Sequence, residues 1–217
     1  MLTDRWMRPV AAGLLLGFAL AALAGTAWAY GYGSGSTYEW THEDREEVRK
    51  ARERRLRSQV ETYKDAFKTV QEEEERAKKA LQQGVTKAEA GPGDEVAKKR
   101  NVRLARFKGM KAFKQVDFKY GRLYTAIAKL SEEKGIPADA KGGADILLTQ
   151  VRDAARENRE FMADLYEKVD EPIQALKLLE GIYKGLPDAE RAAAGDLKGR
   201  IKSLKERLGI RDASSGM

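Results

Sequence analysis

The residue types that most often perform chemistry in proteins are scarce in this chain. His42 is the single histidine, and cysteine is absent. A typical zinc or transition-metal site needs several such ligands, so we expect neither a metal nor another cofactor. A Ser-His-Asp arrangement would depend on this one histidine near the N-terminus. No glycine-rich phosphate loop and no G-x-S-x-G sequence occurs. We therefore expect no enzymatic activity and no catalytic residues.

Carboxylates are plentiful, but their spacing selects neither a catalytic pair nor a calcium site. The one dense acidic run is Glu72–Glu75. On a helix, successive residues of such a run point in different directions. Glu72 is spaced to pair with Arg76, and Glu75 with Lys79, each four residues on. The run therefore predicts an ion-paired, solvated face.

Positive charge is concentrated in one segment of the chain. The net charge is +7, and between Val96 and Ser131 eleven basic residues stand against a single acid, Asp117. Some of these cations are predicted to lie away from the apolar seam without an acidic partner. These candidate binding residues are Lys108, Lys111, Lys119 and Arg122. They indicate a surface for phospholipid head groups, acidic glycans or acidic client proteins. The competing interpretation is a solvated face that keeps the protein soluble.

The first 29 residues have the pattern of a signal peptide. Arg5 and Arg8 precede the uncharged apolar stretch Val10–Leu23, and Ala27-Trp28-Ala29 predicts cleavage after its last alanine. The alternative is an uncleaved inner-membrane anchor, because Val10–Ala29 is just long enough to span a bilayer. We expect a secreted or periplasmic bacterial protein, which would seldom meet nucleic acid.

The composition is typical of long solvated helices. Charged residues make up 35% of the chain, aromatic residues 8%, and mean hydropathy is −0.60. With only five prolines and no alternating strand pattern, the predicted fold class is all-α. Residues 30–40 are rich in Gly, Ser and Tyr and predict a flexible leader. Thr41 is spaced with Asp44 as a capping box that begins the first helix.

Two long helices are predicted to form an antiparallel hairpin over residues 41–134. The first runs to Gln83, where Gly84 ends it, and the second begins after the cap Asp94. Large apolar residues recur at steps of three and four in both, which is the seam of a coiled coil. In the first helix these residues are Leu56, Val60, Tyr63, Phe67, Val70, Ala77 and Leu81. In the second they are Phe107, Met110, Phe113, Val116, Tyr120, Leu123, Ile127 and Leu130.

Folding this pair about its loop predicts a register. Phe67 would meet Met110, and Glu74, the charged residue in the first seam, would lie opposite Arg103. A buried polar pair is a device by which coiled coils fix their register. The narrow seams are satisfied either within one hairpin or between chains, so a homo-oligomer is a second option.

A small C-terminal bundle of three helices is predicted for residues 144–209. Gly142-Gly143 precedes the first helix, Pro172 begins the second, and the last ends at Gly209. Residues 210–217 are predicted to form a disordered tail.

Residues 162–187 resemble one tetratricopeptide helix pair. The matching positions are Met162, Ala163, Tyr166, Ala175, Leu179 and Pro187. Ile182 stands where the family prefers a small residue, and Arg159 where an aromatic residue is usual. No second copy follows at a 34-residue period.

Two functions fit these features. One is an exported, non-catalytic scaffold or adaptor that binds a protein or an anionic partner in the cell envelope. The other is a periplasmic holding chaperone that grips unfolded clients between basic coiled-coil arms. The second is similar in architecture to the Skp class of outer-membrane-protein chaperones, although no motif of that class matches residue by residue.

Overall fold

The computed structural model describes residues 41–210, which contain six α-helices and no β-strand. The all-α prediction is therefore confirmed. The predicted signal peptide, the leader and residues 211–217 of the predicted tail lie outside the described residues. The helices are α1 (His42–Ala90), α2 (Glu95–Ser131), α3 (Ala138–Lys168), α4 (Pro172–Gly185), α5 (Asp188–Ala193) and α6 (Gly195–Arg207).

Both predicted N-caps are present. The backbone N–H of Thr41 donates to the Asp44 carboxylate at 2.9 Å, and the Asp44 N–H donates to the Thr41 hydroxyl at 3.2 Å. This reciprocal pair satisfies backbone donors that the first turn of α1 leaves free. Asp94 accepts from the Ala97 N–H at 2.8 Å and begins α2 in the same way.

The first helix is longer than predicted. It continues through Gly84 to Ala90, and Gly93, with φ 126°, lies in the short turn before α2. Glycine costs only about 1 kcal/mol inside a helix. Here, a Cβ on Gly84 would lie 3.8 Å from the Ala105 Cβ, so the residue faces α2 at short range. The prediction that Gly84 ends the helix is wrong.

This longer helix changes the register between α1 and α2. Arg52 donates to the Lys134 carbonyl, Phe67 packs against Tyr120 with ring centroids 6.1 Å apart, and Gly84 faces Ala105. Residues later in α1 contact progressively earlier residues of the chain, from Lys134, just after α2, back to Ala105, so the two helices run antiparallel. Because the turn lies closer to Gly93 than predicted, Phe67 lies opposite Tyr120 instead of Met110.

The third helix begins at Ala138 rather than at 144, and it runs through Gly142 and Gly143. A Cβ on Gly143 would approach the Val60 Cγ1 to 3.3 Å. The missing side chain therefore lets α3 lie close against α1. A glycine pair that predicted a helix boundary instead marks a helix contact.

The first three helices contribute side chains to two apolar cores. The first core joins α1, α2 and the N-terminal half of α3. Its buried residues are Leu56, Val60, Phe67, Val70, Val116, Tyr120, Leu123, Ile127, Leu130, Ala140, Ala144, Leu147 and Val151. The second core joins α1 and α2 with the rest of α3, α4 and α6. It includes Leu81, Met110, Phe113, Met162, Ala163, Leu165, Tyr166, Val169, Ala175, Leu176, Leu179, Ile182, Ile201 and Leu204.

The expected separation into a hairpin at 41–134 and a bundle at 144–209 does not divide these cores. Both cores cross that boundary, and residues 46–210 belong to one compact unit. The physical reason is that α2 also buries apolar side chains against α3, so its apolar stripe is wider than a two-helix seam. The tetratricopeptide resemblance stays a prediction.

Candidate functional site

Helix α2 has one side in the cores and the other in solvent. Its contacts with α1 and α3 cover the predicted apolar stripe except for Phe107, which is only partly buried, and Phe113, Tyr120 and Ile127 are fully buried. The opposite side carries residues that recur at steps of three and four, so they share one helix face. We call these residues the basic row: Arg100, Leu104, Phe107, Lys111, Lys114, Phe118, Arg122, Thr125 and Lys129.

The basic row contains five cations and no acid. At about 1.5 Å per residue it extends along roughly 43 Å of the helix. Within residues 41–210, the cations of α2 that form ion pairs with carboxylates are Lys99 with Glu95 and Lys119 with Glu73, and neither belongs to the row. Within residues 41–210, no cation of the row therefore has a carboxylate within ion-pair distance.

Two of the four predicted cations lie in the basic row, and two do not. Lys111 and Arg122 are exposed row residues. Lys108 lines a groove between α1 and α2. Lys119 pairs with Glu73 of α1, so the prediction that it lacks an acidic partner is wrong. The register places the acidic run of α1 beside this part of α2 rather than at the level of Arg103.

The structure adds three cations that the sequence prediction missed: Arg100, Lys114 and Lys129. Each stands at a spacing of three, four or seven residues from another member of the row. Extending the helical period from Lys111 in both directions would have identified them.

Exposed apolar side chains interrupt the cations. Phe118 is 65% exposed and Leu104 is 48% exposed, although both are large and apolar. The Arg122 guanidinium lies 5.8 Å from the Phe118 ring centroid, and Arg103 lies 5.8 Å from the Phe107 ring centroid. Phe107 is partly buried against the second core, whereas Phe118 is exposed. A cation–π contact at an exposed site contributes about 0.5–1 kcal/mol. The row is thus both basic and apolar.

The predicted register pair of Glu74 and Arg103 does not form. Glu74 accepts a hydrogen bond from the Tyr120 hydroxyl at 2.7 Å and pairs with Lys78 at 2.9 Å. Arg103 instead lies over Phe107. A buried seam carboxylate does find a polar partner across the interface, but the register selects a tyrosine.

This buried cluster changes how its members bind protons. Burial, and then the hydrogen bond to Glu74, raises the pKa of Tyr120 far above its ordinary value. Burial by itself lowers the pKa of Lys78, but hydrogen bonds to Glu74 and Glu75 outweigh it, and the net shift is upward. Tyr120 stays neutral and Lys78 stays charged at neutral pH, so neither is prepared to act as a general base.

The predicted Glu72–Arg76 pair is present at 3.2 Å, whereas Glu75 pairs with Lys78 rather than with Lys79.

A groove of about 690 Å³ runs beside the basic row. Phe118, Arg122 and Lys129 line it together with residues of α1 and α3. Its two carboxylates already have partners, since Asp117 pairs with Arg159 at 2.7 Å and Glu133 pairs with Arg52 at 3.2 Å. The groove thus extends the positive surface of the row toward the neighbouring helices.

A serine, a lysine and an aspartate meet where α2 ends. The Ser131 hydroxyl donates to Asp145, and the Lys141 ammonium lies 3.0 Å from the same carboxylate and 3.4 Å from the hydroxyl. The Ser131 hydrogen bond, and then Lys141, lowers the pKa of Asp145 below its usual range. A carboxylate with a lowered pKa is a weak base and is poorly suited to take the serine proton. The described contacts of the cluster join α2 to α3.

Other chemical sites find no support in the described part of the chain. Residues 41–210 contain no group of three or more histidine, aspartate or glutamate side chains placed to hold a metal ion. In the same residues, no helix is long and apolar enough to cross a membrane.

Comparison with known proteins gives no relative from which a role can be transferred. No family model matches the chain, and no curated protein or solved structure is significantly similar to it.

Proposed function

We propose that this protein is an exported, non-catalytic helical adaptor that binds an anionic partner of the cell envelope through the basic row of α2. The observation that carries the proposal is the charge of the row. Five cations lie along one helix face with no acid among them. The ion pairs of α2 with carboxylates involve cations outside this row.

The contrast with α1 supports a binding role. The exposed side of α1 pairs many cations with acids one turn away, as in Lys50 with Glu46 and Arg76 with Glu72. Such alternation keeps a helix soluble and contributes a few tenths of a kcal/mol per pair. The row lacks this arrangement, and its like charges Lys111 and Lys114, three residues apart, weaken the helix by a similar amount. A ligand that neutralises them would remove this cost.

Export is proposed from the sequence of the first 29 residues. Arg5 and Arg8, the apolar stretch Val10–Leu23 and the small residues before Tyr30 support a signal peptide. The uncleaved inner-membrane anchor is the alternative within the same proposal. Both place the helical body in an envelope whose lipids, glycans and proteins present negative charge.

The test is photo-crosslinking in the source cells. A photoreactive amino acid replaces Gln115, which is exposed, four residues after Lys111 and three before Phe118. The matched control replaces Gln71, an exposed glutamine of α1. We expect discrete adducts from position 115 that are absent from position 71 and are lost in the Lys111→Glu/Arg122→Glu variant. Adducts that are equal at both positions, or the absence of both protein and lipid adducts from position 115, would contradict the proposal.

A holding chaperone is the second candidate, and one observation favours it. A groove of about 860 Å³ between α1 and α2, near their connecting turn, is lined mostly by small apolar residues. Leu104, which is half exposed, stands at its edge. An unfolded client would bury apolar segments there. Suppression of client aggregation at near-equal molar amounts would favour this candidate over the adaptor.

A further inference from the structure

An electrostatic role alone does not explain why the basic row exposes large apolar side chains. Phe118 is 65% exposed and stands between Lys114 and Arg122, and Leu104 is 48% exposed between Arg100 and Lys111. A ligand that carries only negative charge would leave these side chains in water. A ligand that presents negative charge above an apolar layer satisfies both residue classes.

From this combination we infer that the basic row binds flat on an anionic phospholipid surface, with Phe118 and Leu104 reaching below the head groups. This inference rests on the proposed function and names the partner of the same face. Interfacial helices combine lysine and arginine with phenylalanine and leucine in this way. Each cation near such a surface adds electrostatic attraction, which falls off within a Debye length.

The shape of the row agrees with a planar partner. Its nine residues follow one uninterrupted helix for about 43 Å, and each of its five cations is exposed. The helix cannot turn its other side outward, because Phe113, Tyr120 and Ile127 are fully buried against α1 and α3. The folded body therefore presents a preformed face, and binding needs no unfolding.

A fluorescent label on a single cysteine tests the contact directly, since the chain has no cysteine of its own. Thr125→Cys places an environment-sensitive nitrobenzoxadiazole label in the row. Thr69→Cys on α1 is the matched control, because both threonines are exposed and each hydroxyl bonds the carbonyl four residues before it at 2.9 Å. The full chain is mixed with vesicles of phosphatidylcholine containing 30% phosphatidylglycerol, or of phosphatidylcholine alone.

We expect a blue shift and a rise in emission at position 125 with anionic vesicles, and neither at position 69 nor with neutral vesicles. Lys111→Glu/Arg122→Glu should weaken binding by at least about 30-fold, because each removed cation contributes several-fold. Lys68→Glu/Lys79→Glu makes the same charge change on exposed residues of α1. This variant should keep its affinity for anionic vesicles within about threefold of the wild type. Phe118→Ala should reduce the blue shift while leaving the salt dependence.

Two results would overturn the inference: emission at position 125 that does not respond to anionic vesicles, or a response that Lys111→Glu/Arg122→Glu leaves unchanged. If the cellular crosslink at position 115 still captures an acidic protein, the adaptor function stands and only the lipid assignment fails. If position 115 captures nothing and the label does not respond, the proposed function fails as well.

Discussion

At the scale of single residues, Tyr120 and Glu74 show what the sequence specifies and what it leaves open. A glutamate in an apolar seam predicts a polar partner, because an uncompensated buried charge is costly. The partner depends on which level of α2 lies opposite, and that level depends on where α1 ends. With α1 ending at Gly84 the partner is Arg103, and with α1 ending at Ala90 it is Tyr120.

The Tyr120 contact predicts a loss of stability at alkaline pH. Burial and Glu74 hold the phenol proton in the folded protein, whereas an unfolded chain releases it near pH 10.0. The unfolded state then binds fewer protons than the folded state, so the free energy of unfolding falls as pH rises above 10. This proton contributes up to about 1.4 kcal/mol per pH unit. Urea unfolding between pH 8 and 11.5 measures it.

Tyr120→Phe is the control for this measurement. It should lower the free energy of unfolding by about 1–3 kcal/mol at pH 8, because Glu74 loses one of its partners. The free energy of unfolding of the variant should also fall less steeply above pH 10 than that of the wild type, since the variant has no phenol at this position to ionise. Parallel slopes for the two proteins would show that other groups account for the alkaline loss.

At the scale of helices, the sequence predicted which segments are helical better than where they end. Thr41 with Asp44 and Asp94 with Ala97 are local signals, and both are present. Glycine was misleading because the same residue ends helices and permits close helix contacts. Gly84 and Gly143 face other helices, and only the folded structure distinguishes that role from a stop signal.

Two glycines of α2 make this difference measurable. A Cβ on Gly109 would lie 2.7 Å from the Leu81 Cδ1, whereas a Cβ on Gly121 would meet nothing within 4 Å. Gly121→Ala should raise the free energy of unfolding by about 0.5–1 kcal/mol through helix propensity. The free energy of unfolding of Gly109→Ala should be at least about 1 kcal/mol lower than that of Gly121→Ala, because Leu81 must shift within the second core. Equal values from thermal and urea unfolding would refute close packing at Gly109.

At the scale of the whole molecule, α3 is the element that the sequence placed wrongly. Its apolar residues predicted a separate bundle, since periodicity shows that a helix has an apolar face but not which neighbour covers it. In the structure that face joins both cores, and buried Asn158 donates to the Phe113 carbonyl of α2 at 3.2 Å.

The sequence predicted the candidate binding face only in part, because periodicity does not show which neighbouring helix covers each face of α2. The excess of cations in 96–131 is a property of composition and needs no structure. Which cations face outward depends on the contacts of α2, and these assign Lys119 to Glu73 and leave Lys111 and Arg122 in the row. The exposure of Phe118, by contrast, follows from the predicted seam, which includes Val116 and Tyr120 and leaves Phe118 on another face of the helix.

The pairing of Lys119 with Glu73 and of Tyr120 with Glu74 depends on one claim, that α2 lies antiparallel to α1 in the observed register. Gly84→Cys/Ala105→Cys tests it in a chain without other cysteines. A Cβ on Gly84 would lie 3.8 Å from the Ala105 Cβ, which is the usual separation in a disulfide. The measurement is the yield of intramolecular disulfide on mild oxidation, compared with Glu74→Cys/Arg103→Cys, the pair of the sequence-derived register. We predict near-complete oxidation of the first pair and none of the second; oxidation of the second pair alone would contradict the account.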